Sequence, residues 1–378
     1  MSKKPSAPRA PRAPRAPKRS SPRANRRETA SVGRRLIRAV FGAVTTLVVI
    51  GMVAILGAAW VYNGPGPAAK AGDKTTVVLR KGASLPEIAS SLERGGVIRS
   101  SSIFMTAAKA TGAARTLKAG EYEFASRASM AQVLDAIRHG RIVRHWITIP
   151  EGLTSDMVMD ILAKSDILEG SAATPPEGAI LPETYEVQRG EDRAAVLKRM
   201  MDDRDKLLNQ LWANRQSGLP YRSKEEAVIM ASIVEKETGV KGERPQVAAV
   251  FVNRLRTGMR LDTDPTVIYG ISRGRPLGRG LRRSELDAFT PYNTYKIDGL
   301  PPTPIANPGR AALEAALNPA RTNDLYFVAD GTGGHVFAST LEQHNANVAK
   351  WRQIERDRAG AGVPVVPAPP AAKPLAGG

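Results

Sequence analysis

The chain has 378 residues, 42% of them hydrophobic, enough for more than one domain with a core. It contains no cysteine, which excludes disulfides, thiol nucleophiles and thiolate metal sites. The net charge of +19 is uneven: thirteen of the 55 Lys/Arg and a single acid, Glu28, fall in the first 38 residues, leaving +7 on the rest.

The first segment, 1–38, is built on the repeat "APRAPRAPRAPKRSSPRANRR" and cannot bury apolar surface, so it is predicted to be a disordered basic tail. Basic arms of this kind bind phosphate backbones. The segment that follows argues for a membrane instead, and no nucleic-acid partner is expected. Ala39–Tyr62 is 24 residues without a charge. At ~1.5 Å per residue it crosses a ~30 Å hydrocarbon core with some tilt. A retained single-span anchor is expected; a cleaved signal peptide, with a shorter apolar region, is the alternative. Basic residues precede the span and none follows it directly. That predicts a cytoplasmic N-terminus and a remainder outside the cytoplasm, with Trp60 and Tyr62 at the far interface.

Residues 63–74, "NGPGPAAKAGDK", read as a linker. Three short units of one layout follow at 75–98, 120–143 and 145–168: an extended stretch, a turn, then a capped helix. Ser84, Ser129 and Thr154 are the predicted caps. Ile88/Leu92, Val133/Ile137 and Val158/Leu162 follow at helical spacing and should face a core, with the helices on one side of a short sheet. Residues 190–218 read as a charged helix, and 358–378 as a disordered Pro/Ala tail. The fold class is α+β: an N-terminal transmembrane helix, a small α/β module at 75–143, and a mixed α+β domain at 144–357.

The stretch "SKEEAVIMASIVEKETG" (223–239) carries its own boundaries: Ser223 with Glu226 as a capping box and Gly239 as a left-handed C-cap. Stepping ~100° per residue from Ala227 places Met230, Ala231, Ile233 and Val234 on one face, and Glu237 at about 280° among them. Glu235 falls at about 80°, on the edge of the polar face. Glu235 is therefore expected to be a solvated helix-end residue. Glu237 is a carboxyl among apolar neighbours, which burial should keep protonated towards neutral pH. Such a group is a general acid, or a structural acid paired with a cation such as Arg254.

The unit at 75–98, with "SSIFMTAAKATG" after it, resembles a LysM module, which would imply binding to glycans containing N-acetylglucosamine; a plain stalk is the competing reading. Further on, "LPETYEV" (181–187), "ASIVEKET" (231–238), "VFVNRLRTGMRLDTDPTVIYG" (250–270), "TPYNTYKIDGLPPTPIANPG" (290–309) and "LYFVADGTGGHVFASTLEQHN" (325–345) resemble, in order, the YceG family, the endolytic murein transglycosylases. The resemblance spans roughly 36–352 and covers neither tail.

The resemblance implies that the second acid of Glu-Lys-Glu-Thr, Glu237, is catalytic, with Thr238 where other lytic transglycosylases carry Ser. It implies non-hydrolytic cleavage of the β-1,4 bond between N-acetylmuramic acid and N-acetylglucosamine in nascent peptidoglycan strands. The ends left are 1,6-anhydro, and elongation stops. It implies neither metal nor cofactor, and glycan-polymerising synthases as membrane neighbours. Polyol substrates need aromatic faces and planar hydrogen-bonding groups. Tyr292, Asn293, Tyr295, Asp264 and His335 are the candidates for those contacts, each with a structural role as its alternative. Arg254 is expected to support the cleft without binding Glu237, since a close pair would lower the acid's pKa. A non-catalytic peptidoglycan-binding scaffold and a hydrolytic muramidase using Asp264 as second carboxylate are the competing functions.

Overall fold

The computed structural model describes residues 25–360. The first 24 residues of the predicted tail, and 361–378 of the Pro/Ala tail, lie outside them. Helix α1 runs Asn25–Asn63 without a break, so it takes in the end of the segment expected to be disordered. That end, "NRRETASVGRRLIR", is mostly helix-forming, and a long apolar helix already nucleated beside it makes extension cheap. Within α1, Arg35–Asn63 is long and apolar enough to cross a membrane. Among the described residues most of its apolar side chains are left uncovered: Phe41 is 73% exposed and Ile55 70%.

Two compact units follow from the way the chain packs. Among the described residues the first holds 25–75 with Ser84–Leu117 and Phe124–Arg138; the second holds Thr76–Ala83, Lys118–Glu123 and 139–360.

Strand β1 (Lys74–Leu79), helices α2 (Leu85–Arg94) and α3 (Ser101–Ala110), strand β2 (Gly120–Ala125) and helix α4 (Met130–His139) come first. Ser84 shares a capping box with Glu87. Ser129 and Gln132 satisfy each other's backbone N–H at 2.9 and 3.2 Å. Ile88, Leu92, Val133 and Ile137 are buried, as their spacing predicts. The stretch read as a linker is held close: Gly66 N–H donates to Arg127 O and Arg127 N–H to Pro67 O. Ala69 N–H donates to the Ser126 hydroxyl at 3.1 Å.

The second unit adds β3 (His145–Thr148), α5 (Ser155–Lys164), β4 (Leu168–Glu169), β5 (Thr184–Val187), β6 (Glu191–Asp192) and α6 (Arg193–Ala213). After them come α7 (Lys224–Glu237), α8 (Arg244–Arg256), α9 (Asp264–Ser272), α10 (Arg283–Asp287), α11 (Arg310–Leu317), the hairpin β7 (Tyr326–Ala329) and β8 (His335–Ala338), and α12 (Leu341–Gly360). Thr154 caps α5, with Val158 and Leu162 buried beneath it. The strands of the three similar units do not share one sheet. Strand β1 pairs with β2, whereas β3 pairs antiparallel with β5, Ile147 opposite Tyr185.

Helix α7 is the centre of this unit. Every residue from Ala227 to Val234 is buried, packed by Val247, Ala248 and Phe251 of α8, by Leu313 of α11, and by Leu261 and Ile305. Burying a side chain of this size contributes about 1.5–3 kcal/mol. The polar face drawn from the sequence is therefore absent along most of the helix. Ser232, which helical spacing sets away from the Met230–Val234 face, is 0% exposed; it donates to Ile229 O and accepts from Ile305 N–H at 3.0 Å. Ser223 caps the start, accepting from Glu226 N–H, while the Glu226 carboxylate reaches back to Arg222 N–H. At the other end Thr238 turns extended, with φ −132° and ψ 129°, and Gly239 is not left-handed as predicted.

Candidate active site

Glu237 is the last residue of α7, at the point where the chain leaves the core; the residue keeps some exposed surface, while its carboxyl is turned in against the buried Thr263. Thr263 donates its hydroxyl to Glu237 Oε2 at 3.2 Å. Thr263 is the N-cap of α9, and Asp264 is that helix's first residue. Three buried hydroxyls hold the turn: Thr266 and Thr294 lie 2.9 Å apart, and Thr294 Oγ1 accepts from Thr263 N–H at 3.1 Å. The preceding Asp262 takes a left-handed backbone, φ 47°, to bring the chain into α9. Residues with small polar side chains tolerate that region best.

The second acid in the site is Asp264, which accepts from the Tyr295 hydroxyl at 2.8 Å. Burial, then the negative charge of Asp264, push Glu237 up to about 7 against the Thr263 hydrogen bond and the charge of Arg254. Asp264 is itself raised by burial to about 6, with the Tyr295 hydrogen bond opposing. Burial and the nearby carboxylates raise Tyr295 well above the ordinary phenol range. The hydroxyl is therefore a fixed donor. Two carboxyls close enough to act on each other, both raised towards neutrality by burial, make an acid–base centre.

Arg254 is 5% exposed and its donors go to backbone. Nε reaches Leu325 O at 2.6 Å and Nη1 reaches Leu261 O at 2.8 Å; Asp262 Oδ2 is 3.9 Å away. It ties α8 to the chain before β7 and to the approach to α9, and acts on Glu237 only through its charge.

The other sequence candidates separate. Tyr295 and Asp264 join Glu237. His335 lies at the start of β8, its Nδ1 2.7 Å from Glu243 Oε2 and its N–H 2.8 Å from Glu243 Oε1. The Thr238 hydroxyl also donates to Glu243 Oε2, at 3.4 Å, so His335 stands two hydrogen bonds from the residue after Glu237. Tyr292 pairs its hydroxyl with Thr303 and packs its ring 5.0 Å from that of Tyr269. Asn293 does not serve as a substrate contact: it is 0% exposed. Its amide donates to Leu286 O and Ala288 O and its Oδ1 accepts from Tyr295 N–H. It shapes the loop that presents Tyr295.

Glu235 is the largest departure from the sequence reading. Its side chain is 5% exposed, not solvated. One oxygen accepts from Arg244 Nη2 at 3.0 Å and the other from Gly309 N–H, at the N-terminus of α11, at 2.9 Å. Glu151 adds a second carboxylate 3.4 Å from the same Arg244 nitrogen. Helical spacing gives the direction of Glu235 correctly; it does not contain α8 and α11, which fill that direction. Thr263 and Glu243 also went unseen. The capping position before "DP" was the available signal for Thr263.

The arrangement defines a class: a buried acid at a helix end, poised near neutrality and flanked by a second carboxyl. Residues 77–350 match the YceG-like family, and the chain belongs to it. It is 30% identical over 321 residues to an endolytic murein transglycosylase of Bacillus subtilis (strain 168), covering 75% of this chain and 87% of that one. An endolytic murein transglycosylase of Streptococcus pneumoniae serotype 2 is 28% identical over 324 residues; this chain spans 58% of its length. A crystal structure of a yceG-like protein from Listeria monocytogenes aligns at 30% identity and a TM-score of 0.46, over 72% of this chain and 98% of that one.

Proposed function

We propose that this chain is an endolytic murein transglycosylase, held at the membrane by α1, with Glu237 as its acid and base in turn. The observation that carries the reading is the Glu237 carboxyl: buried, raised to about 7, and held by a hydroxyl rather than a cation. The family names point to the same chemistry.

In the first step Glu237 gives its proton to the glycosidic oxygen between N-acetylmuramic acid and N-acetylglucosamine. The bond from that oxygen to C1 breaks, and the leaving sugar departs as an alcohol. The resulting carboxylate then takes the proton from the C6 hydroxyl of the muramoyl sugar, whose oxygen bonds to C1. The products are a 1,6-anhydro end and a reprotonated Glu237. The nucleophile is intramolecular, so no water has to be brought in and ordered. An acid with its pKa close to the working pH serves both steps. Asp264, fixed by Tyr295, holds the proton on Glu237 by its charge. Tyr292, Tyr295 and His335 are the remaining candidates for sugar contacts.

The reading places the N-terminus in the cytoplasm and the remainder, with a LysM-like module at 75–143 and a catalytic domain at 144–357, in the periplasm. Nascent glycan strands are the substrate, and glycan-polymerising synthases are neighbours in the bilayer. A second reading has one observation in its favour: Asp264 is a second carboxyl beside Glu237, as a hydrolytic muramidase needs. Mass analysis of peptidoglycan digested by the purified chain separates the two. Anhydro ends support the transglycosylase; reducing ends would replace it with the hydrolase, and no cleavage with a binding scaffold.

A further inference from the structure

The end of α1 is closely fastened to the unit that follows it. Gly64 N–H donates to Trp60 O, closing the helix, and Gly66 is already paired with Arg127. Only a few residues separate the apolar helix from folded structure, so a flexible spacer cannot hold this unit away from a membrane that α1 spans.

Helix α3 packs beside the end of α1, leaving an open, predominantly apolar groove of about 500 Å³ between them. Ile55, Ala59 and Tyr62 form one wall; Ile103, Ala107 and Ala110 form the other. The other side of α3, Phe104 and Ala108, is buried in the unit's own core. The height of the groove follows from α1. Arg38 is the last charge before the uncharged run. Counting from it, about 20 residues at ~1.5 Å each fill a ~30 Å hydrocarbon core. That ends near Ala58, so the groove opens at the level where acyl chains meet head groups.

Polar groups on the α3 stripe are prepared for that setting. Thr106 donates its hydroxyl to Ser102 O at 2.9 Å and Thr111 to Ala107 O at 2.8 Å. Thr45 and Thr46 do the same inside the span, to Phe41 O and Gly42 O, at 2.8 Å each. A hydroxyl that returns its hydrogen to its own helix loses little on leaving water. Arg99, Lys109 and Arg115, exposed around α3, supply positive charge for anionic head groups.

We propose that α3 lies on the outer surface of the bilayer, with lipid filling the groove it forms with α1, so that the first unit rests on the membrane. The proposal rests on reading α1 as a retained anchor. The chain has no cysteine, so single cysteines can carry a nitroxide at chosen sites of the full-length protein. The test is to reconstitute Ala107→Cys, Val49→Cys and Glu93→Cys in vesicles of phosphatidylethanolamine and phosphatidylglycerol, and compare accessibility to oxygen and to a water-soluble nickel chelate. The expected result is a ratio of oxygen to nickel accessibility at 107 that lies below that at 49, near the middle of the span, and exceeds that at 93, on α2, severalfold. A label at 107 as wet as at 93, with 49 in lipid, overturns the proposal and leaves the anchor standing. A label at 107 shielded from both reagents means that protein covers the groove, and also overturns it. A wet label at 49 removes the anchor itself, and the proposal with it.

Discussion

The two sides of the end of α7 carry two glutamates in opposite circumstances. Glu235 enters a closed polar region between α8 and α11, where Arg244 and the Gly309 N–H account for its two oxygens. Glu237 enters the recess against α9, where a threonine hydroxyl is its hydrogen-bond partner and the nearest charge of consequence is another acid. Burial alone does not make a catalytic carboxyl. What distinguishes the two is the neighbouring charge: a cation fixes Glu235 in a structural role, whereas at Glu237 burial keeps the proton on and an acid adds to that effect.

Substitution with glutamine tests this contrast most directly. Glu237→Gln keeps the shape of the recess and removes the proton donor, so release of anhydro products should fall by about 10²–10⁴ while circular dichroism is unchanged. A variant that stays active would move the chemistry elsewhere. Glu235→Gln should act on the fold. It strips the charge from the main partner of a buried Arg244, a change costing about 3–5 kcal/mol; Glu151 keeps the loss near the lower end. Denaturant titration in detergent reads it. A variant as stable as the parent would show that the pair contributes nothing to folding.

Glu237→Gln should also stabilise the protein above neutral pH. The folded pKa of Glu237 lies above its ordinary value of 4.5, so the folded state holds the proton more tightly than the unfolded chain. The stability this adds is full below about 4.5 and is lost as the pH rises through about 7. Glutamine carries no such loss. The difference between variant and parent should therefore grow from pH 5 to pH 8 and reach about 1–3 kcal/mol. A difference independent of pH would mean that Glu237 is not held protonated.

Much of this was legible in sequence. The caps Ser84, Ser129, Thr154 and Ser223 could be read because each is a local arrangement of one hydroxyl and a few backbone groups. The direction of Glu237 could be read because helical spacing is local as well. Whatever depends on distant segments was not available. Glu235 becomes structural only when α11, over 70 positions later, places Gly309 against it. Asn293 looks like a sugar ligand until its loop closes on its amide. The pairing of β3 with β5 instead of β1 or β2 is a choice among similar strands, which periodicity does not decide.

The smallest expected effect bears on how the two acids of the recess share their work. Burial is the main reason Glu237 sits near 7, and the Asp264 charge comes second. Asp264→Asn removes the charge and keeps the volume and an oxygen for Tyr295. In a transglycosylase, the alkaline limb of kcat/KM, set by the proton on Glu237, should then move to lower pH by about half a unit to one unit. Activity at pH 5.5 should change little. In a hydrolase that uses Asp264 to activate water, the same substitution leaves no such residue of activity: turnover falls at every pH and reducing ends disappear. A displaced pH profile and a collapsed one cannot be confused, so one asparagine decides whether Asp264 tunes the acid or shares the reaction with it.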